Sequence, residues 1–318
     1  MRIFLTGAAG FIGSNVARAL LARGDSVVGL DDYNDFYDPA IKRRNVEELS
    51  KLGGDFTVIE GDLRLHGDVD KALGDGADVV VNLAARAGVR PSLEQPLLYT
   101  DTNVRGLVNI LEAMRERSMK KLVHASSSSV YGGQEKVPFA ETDPILKPWS
   151  PYAATKRSNE LMLATWNHLY GIESHALRFF TVFGPGQRPD LAIAKFIRLI
   201  EQDQPIPFFG DGTTGRDYTF IDDIVQGVVA SIDRVAGCEI INLGGDEPVT
   251  LTEMVHTIEK VMGKQAKLDR KPVQPGDVPR TMADVSKARR MLGYEPSTSF
   301  NEGVAKQYEW WRRAVDSQ

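Results

Sequence analysis

The 318-residue sequence predicts an α/β fold: a doubly wound parallel sheet of about seven strands, with a smaller C-terminal α/β domain for substrate. Three observations lead there. Short β-branched runs alternate with helical patterns, two of those runs are apolar almost throughout, and a glycine-rich turn joins the first run to the first helix.

The runs are Arg2–Thr6, Ser26–Leu30, Phe56–Glu60, Val79–Leu83 and Lys121–Ala125, followed by Glu173–Arg178 and Glu239–Leu243. Strands separated by helices are joined by crossovers and therefore run parallel, and a parallel sheet is covered on both faces. Such covering explains Val79-Val80-Val81-Asn82-Leu83 and Lys121-Leu122-Val123-His124-Ala125. The longest helical patterns are Thr102–Arg117 and Pro151–Tyr170. For the second, Ser150 is a natural N-cap, Pro151 suits the first helical position and Gly171 supplies the stop.

After Arg178 the texture changes. Phe183-Gly184-Pro185-Gly186-Gln187-Arg188-Pro189 and Gln204-Pro205-Ile206-Pro207 interrupt the alternation, as loops do when they build a binding surface on a rigid scaffold. We therefore expect residues 1–180 to form the sheet domain, with the stretches near Tyr218–Ser231 and Glu239–Leu243 (about 218–243) returning to complete the sheet. Residues 181–217 and 244–318, ending in a helix with Trp310 and Trp311, form the substrate domain.

Composition narrows the function. With 42% apolar residues the chain buries a large core, and a net charge of −5 gives no electrostatic reason to expect nucleic acid. Lys42-Arg43-Arg44 reads as a solvated helix face. Cys238 is the single cysteine, so no intramolecular disulfide forms, and five scattered histidines without ligand spacing argue against a metal. The apolar stretch Arg2–Gly13 is too short and glycine-rich to span a membrane and lacks a signal-peptide cleavage pattern, so cytoplasmic residence is the default expectation.

Between the first strand and the first helix lies Gly7-Ala8-Ala9-Gly10-Phe11-Ile12-Gly13, whose glycines let the backbone approach a pyrophosphate at a helix N-terminus, as in the Rossmann fold. Asp31 ends the second strand, where a carboxylate accepts hydrogen bonds from the adenosine ribose and repels a 2′-phosphate. NAD is thus expected over NADP. Asp62, after the third strand, is placed to meet the adenine edge or to make an Asx turn.

Tyr152 and Lys156 lie one turn apart at the start of the Pro151–Tyr170 helix, about two dozen residues after Ser126-Ser127-Ser128-Ser129. A free phenol, with a pKa near ~10, is a poor base at neutral pH. A neighbouring cation and the helix dipole favour its phenolate, so the pair reads as a hydride-transfer site.

Together the glycine triad, Asp31, Asp62-Leu63, the Leu83-Ala84-Ala85 turn, the serine run before Val130-Tyr131-Gly132, and Tyr152 with Lys156 resemble the extended short-chain dehydrogenase/reductase family of nucleotide-sugar epimerases. The resemblance spans essentially the whole chain. Asp31-Asp32-Tyr33-Asn34-Asp35-Phe36-Tyr37-Asp38-Pro39, Ala85-Arg86-Ala87-Gly88-Val89-Arg90, Arg178-Phe179-Phe180-Thr181-Val182-Phe183-Gly184-Pro185 and Gln274-Pro275-Gly276-Asp277-Val278-Pro279 look most like the branch that acts on UDP-glucuronate.

The resemblance implies a UDP-sugar substrate and a tightly held, recycled NAD contacted by Gly7, Gly10, Phe11, Ile12, Gly13, Asp31, Asp62, Leu63, Ala84, Ala85, Tyr152 and Lys156. Tyr152 takes the proton of the sugar 4-hydroxyl, Lys156 holds the nicotinamide ribose, and Ser127 bonds the 4-oxygen. The 4-keto sugar turns over and receives the hydride on its other face. Thr181 and Arg188, with Ser128, meet the C6 end; Arg216 meets the diphosphate, Asp277 the uridine ribose, and Arg86 and Arg90 either flank the entrance or make loop ion pairs. Related 4,6-dehydratases carry an Asp-Glu pair at the positions of Ser128 and Ser129, and related decarboxylases carry a glutamate at Ser129. Family members commonly dimerise through two helices per subunit, here Thr102–Arg117 and Pro151–Tyr170. UDP-glucose as the substrate, or a non-catalytic dinucleotide-binding regulator, are the alternative readings.

Overall fold

The computed structural model describes residues 1–245, 247–273 and 278–316. Its first half runs β1 (Arg2–Thr6), α1 (Phe11–Ala22), β2 (Ser26–Asp31), α2 (Pro39–Ser50), β3 (Phe56–Glu60), α3 (His66–Leu73), β4 (Val79–Asn82), α4 (Val89–Glu94), α5 (Pro96–Thr100), α6 (Gly106–Glu116) and β5 (Lys121–Ser127). The second half runs α7 (Pro151–Tyr170), β6 (Glu173–Phe179), β7 (Thr181–Phe183), α8 (Ala192–Glu201), β8 (Ile206–Phe209), β9 (Gly215–Phe220), α9 (Ile221–Arg234), β10 (Cys238–Leu243), β11 (Pro248–Thr250), α10 (Leu251–Met262), β12 (Leu268–Lys271), α11 (Ser286–Leu292) and α12 (Phe300–Asp316).

The central sheet has seven strands in the order β3-β2-β1-β4-β5-β6-β10, every neighbouring pair parallel. The chain winds outward from β1 to β3, then crosses back to β4. That reversal opens a crevice at the carboxyl ends of β1 and β4, the place where sheets of this kind bind ligands. Two apolar clusters cover the two faces. One includes Val16, Leu20, Ile224 and Val228 from α1 and α9; the other includes Val69, Leu107, Leu111 and Leu163 from α3, α6 and α7. Full burial of each such aliphatic side chain contributes about 1.5–3 kcal/mol.

Two expectations need correction. Tyr218–Ser231 does not return to the central sheet: Tyr218, Thr219 and Phe220 lie in β9, part of a separate sheet ordered β11-β9-β7, and the residues from Ile221 on form α9. Ile221, Ile224, Val228 and Ile232 are buried at helical spacing, so α9 packs on α1 and only β10 extends the sheet. The Thr102–Arg117 pattern is also interrupted. Asp101–Arg105 is a π-helical turn ahead of α6, and a Cβ on Gly106 would lie 3.0 Å from Leu63 Cβ. The extra residue in that turn brings Asn103 to the loop after β4, where its side chain accepts from Arg86 N (2.8 Å) and donates to Arg86 O (3.0 Å).

The ends of α7 follow their sequence signals. The Ser150 hydroxyl accepts from Ala153 N at 3.1 Å, and Gly171 closes the helix at φ 64°. Capping of this kind contributes about 1 kcal/mol and fixes where Tyr152 begins the first turn.

Candidate active site

The crevice is a cleft of about 340 Å³ lined on one side by the glycine turn and the ends of β2 and β4, and on the other by Ser127, Tyr152, Lys156, Thr181 and Arg188. Gly7 adopts φ +70° and donates its N–H to Leu30 O at 2.8 Å. A Cβ on Gly13 would stand 1.9 Å from Gly7 O, so α1 reaches the turn only because position 13 has no side chain. Helix α1 has no side-chain cap at Gly10. Its first-turn amides therefore remain to meet an anion.

Asp31 is buried. Its carboxylate accepts from Ala9 N (3.1 Å) and Tyr33 N (2.9 Å) and stands 4.0 Å from Lys42 Nζ. Burial pushes its pKa up against the pull of Lys42. Lys42 is not a solvated residue, as the basic run suggested: it is 4% exposed, lines the cleft and donates to Asn34 O at 3.0 Å. It shares a face of α2 with buried Leu49, two turns on, a signal present in the sequence but hidden by the polarity of the rest of the helix. Arg43, by contrast, is exposed and pairs with Glu60 at 3.2 Å.

Asp62 lines the cleft and also makes the Asx turn, accepting from Arg64 N at 2.8 Å. Burial works against its charge, but the bonds from Arg64 lower its pKa overall. Arg86 lines the cleft too. One guanidinium nitrogen bonds Asn34 Oδ1 at 3.2 Å, while Nε is buried without a partner among the described residues. A buried, unsatisfied donor in a cleft beside an uncapped helix is what a diphosphate-containing cofactor satisfies, and the Asp31 carboxylate suits a ribose diol. The residues present therefore fit NAD.

At the other end three consecutive residues of β5 meet α7. The Ala125 carbonyl accepts from Lys156 Nζ at 2.6 Å, Ser126 Oγ donates to Glu160 Oε1 at 2.7 Å, and Ser127, whose hydroxyl bonds Ser129 Oγ at 3.1 Å, lies beside the Tyr152 phenol. Ser126 is thus tied to the helix. Lys156 is 2% exposed; burial lowers its pKa to about 7, with Glu160 opposing. Burial also raises the Tyr152 pKa, against the polar influence of Ser127 and the charge of Arg188. In the ligand-free protein burial thus outweighs the groups that favour the Tyr152 phenolate. The ammonium is spent on a carbonyl and lies 5.9 Å from the phenol ring centre. Tyr99, missed in the sequence because it reads as one more apolar helix residue, packs edge-on to Tyr152 at 6.2 Å and bonds Ala87 O at 3.0 Å.

Arg188 lines the cleft from the loop after β7, its guanidinium paired to Asp190 through two bonds (3.0 and 2.7 Å) and 4.9 Å above the Phe36 ring. Burial opposes its charge, and Asp190 more than restores it. Thr181, the first residue of β7, also faces this space. Leu63, Ala84, Ala85, Phe11 and Ile12 join the lining as expected.

Other expected residues are not brought in. Ser128 turns into a short 3₁₀ helix and does not line the cleft, nor does half-buried Arg216, whose Nη1 bonds Gly215 O at 2.8 Å. Arg90 lies 5.3 Å over the Phe209 ring, and Asp277 lies outside the described residues. Folding gathers His66, Asp70 and Glu116 on the surface despite their wide spacing, but none lines the cleft and Asp70 pairs with Arg117. Among the described residues no helix is long and apolar enough to cross a membrane.

Comparison with known proteins gives the same picture. Residues 4–307 match the model of the family described as GDP-mannose 4,6 dehydratase. A relative named UDP-glucuronate 4-epimerase, from Thermodesulfobacterium geofontis, is 42% identical over 98% of this chain and 96% of its own. The solved UDP-glucuronic acid 4-epimerase of Bacillus cereus, in complex with UDP-glucuronic acid and NAD, superposes with a TM-score of 0.92 at 37% identity, covering 99% of this chain and 100% of that one. The UDP-glucose 4-epimerase of Thermotoga maritima, solved with UDP-glucose, gives 0.91 at 29% identity, with 99% and 100% coverage. The backbone is shared across both sugars.

Proposed function

The chain belongs to the GDP-mannose 4,6-dehydratase family of extended short-chain dehydrogenase/reductases, and on that premise we propose that it interconverts UDP-glucuronate and UDP-galacturonate by inversion at C4. The class of reaction is NAD-dependent C4 epimerisation of a UDP-sugar, an isomerisation. The observation that carries the choice of sugar is one cleft that joins Tyr152, Lys156 and Ser127 to Thr181 and Arg188.

A bound NAD supplies a reversible hydride acceptor. Tyr152 removes the 4-hydroxyl proton as the C4 hydride departs, leaving a ketone, and Ser127 donates a hydrogen bond to the 4-oxygen. Lys156 holds the nicotinamide ribose. The 4-keto sugar rotates about its diphosphate linkage, the hydride returns to its opposite face, and Tyr152 gives the proton back. No external redox partner is consumed. Ser128 and Ser129 stand where dehydratase and decarboxylase relatives carry acids, so the chain lacks the groups those reactions use.

A glucuronate oxidised at C4 is a β-keto acid, which loses carbon dioxide when its carboxylate bond aligns with the ketone. Arg188, with Thr181, holds that carboxylate charged and out of alignment, because a planar guanidinium fork matches a carboxylate. Arg216 and Asp277 are read as the diphosphate and uridine contacts, and Arg86, with an unsatisfied Nε, as a phosphate contact. We also read the protein as a cytoplasmic homodimer joined through α6 and α7, where Leu161 (54%) and Leu169 (57%) are exposed; sedimentation as a monomer at micromolar concentration would contradict the dimer.

The test uses UDP-glucuronate carrying deuterium at C4 and no added NAD. The mechanism requires the label to reappear at C4 of UDP-galacturonate. Washout into solvent would overturn it.

A further inference from the structure

Helix α7 meets the end of β5 at three successive turns. Tyr152, Lys156 and Glu160 face Ser127, Ala125 and Ser126, and the third of these contacts belongs to no step of the reaction. Glu160 has a fully buried carboxylate that is held rigidly. Besides Ser126 Oγ it accepts from Arg178 Nε (2.8 Å) and Nη2 (2.9 Å), and from Arg157 Nη1 (2.9 Å). Arg178 is itself fixed by Tyr131 OH at 2.9 Å, which donates onward to Asn242 Oδ1 at 2.8 Å. Two elements of the central sheet, β6 and β10, thereby grip the helix one turn beyond the lysine.

We propose that Glu160 is a positioning residue: tied to Ser126 and Arg178, it sets the register of α7 against β5 and places a negative charge one helical turn from the Lys156 ammonium beside Tyr152. An ion pair removed from water costs several kcal/mol in desolvation and is weak evidence for stability. Its location one helical turn from a buried ammonium gives it a different use. Among the described residues Lys156 has no carboxylate within bonding distance and its Nζ donates to a carbonyl, so without Glu160 nothing anionic on α7 would oppose the burial that disfavours its charge. The other groups around the pair are His124, held neutral by burial, Arg157 and Arg178, both bonded to Glu160, and Arg188, which acts on Tyr152.

The inference rests on Tyr152 and Lys156 being the proton-handling pair, and the test separates the two. The NAD-loaded protein is compared with Glu160→Gln, which still accepts from Ser126 but carries no charge, and with Ser126→Ala, which keeps the charge but loses the contact. For Glu160→Gln the alkaline limb of the kcat profile moves down by about one pH unit, because Lys156 loses its proton sooner. The Tyr152 tyrosinate absorbance, taken as the difference from a Tyr152→Phe protein, appears at higher pH, and KM changes little. For Ser126→Ala, kcat falls several-fold with the limb unmoved. If Glu160→Gln does not fold, Glu160→Gln with Arg178→Met avoids an unpaired buried cation, and shifts in the same direction but smaller are expected, because Glu160 is the charge that acts on Lys156. A folded variant with unshifted limb and absorbance overturns the proposal. An inactive wild type whose tyrosinate absorbance still responds to Glu160→Gln would overturn only the function.

Discussion

On the cofactor wall of the cleft, each group is held by main chain: Gly7 by Leu30 O, Asp31 by the amides of Ala9 and Tyr33, and α1 by the missing side chain at Gly13. On the sugar wall, Arg188 stands on a loop, is held by the side chain of Asp190 and rests on the ring of Phe36. The first wall is a consequence of the sheet itself, since β1 and β2 must end there. The second is a small set of side chains added to it. Cofactor and redox chemistry should therefore be inseparable from the fold, while sugar choice should be separable from both.

The sharpest way to break the comparison lies where the walls meet. Tyr152→Phe removes the acid–base group and should lower kcat by about 10³–10⁴ while the purified protein keeps its NAD, read by release on denaturation. Retained turnover would move the chemistry to another residue. Gly13→Ala places a methyl into Gly7 O, so the backbone must shift: we expect a stability loss of about 2–4 kcal/mol in denaturant titration, together with loss of bound NAD. If the variant keeps both, the cofactor wall is less dependent on the fold than its geometry indicates.

The sugar wall gives a smaller and more selective response. Arg188→Ala should raise KM for UDP-glucuronate by about 10- to 100-fold, leave UDP-glucose nearly unaffected, and release a 4-keto pentose from decarboxylation. Equal losses for the two sugars, with no 4-keto pentose, would place Arg188 outside sugar choice. A separate effect, on stability alone, concerns Lys156. Its folded pKa, lowered by burial to about 7 from an ordinary 10.5, means that between those values the unfolded chain binds more protons than the folded one. The ligand-free protein should therefore gain stability as pH rises through that window, and the melting temperature relative to Lys156→Met should climb across it. A constant difference would mean that the lysine stays charged when folded.

The same contrast explains what the sequence reveals. Strand runs and the ends of α7 are written in local periodicity and caps, so Ser150 and Gly171 place Tyr152 without knowledge of the tertiary fold. Asp31 is legible because a strand end and a glycine turn define its position. Lys42, Tyr99 and the Glu160–Arg178 pair are not, since their roles depend on what packs against them from distant elements. The place of α9 is not legible, because apolar residues after a strand-like run suit a buried strand or a helix, and packing against α1 decides. The side chains of the sugar wall are legible only through resemblance: a threonine and an arginine in a proline-rich loop have no period to read.

The central claim is that one cleft carries a C4 epimerase whose sugar wall is built for a carboxylate. The direct measurement incubates the pure protein separately with UDP-glucuronate and UDP-glucose, without added NAD, and resolves the sugar H1 and H4 signals by proton NMR. Conversion of UDP-glucuronate to UDP-galacturonate, with UDP-glucose turned over far more slowly, is the predicted result. Turnover of the neutral sugar alone would contradict it.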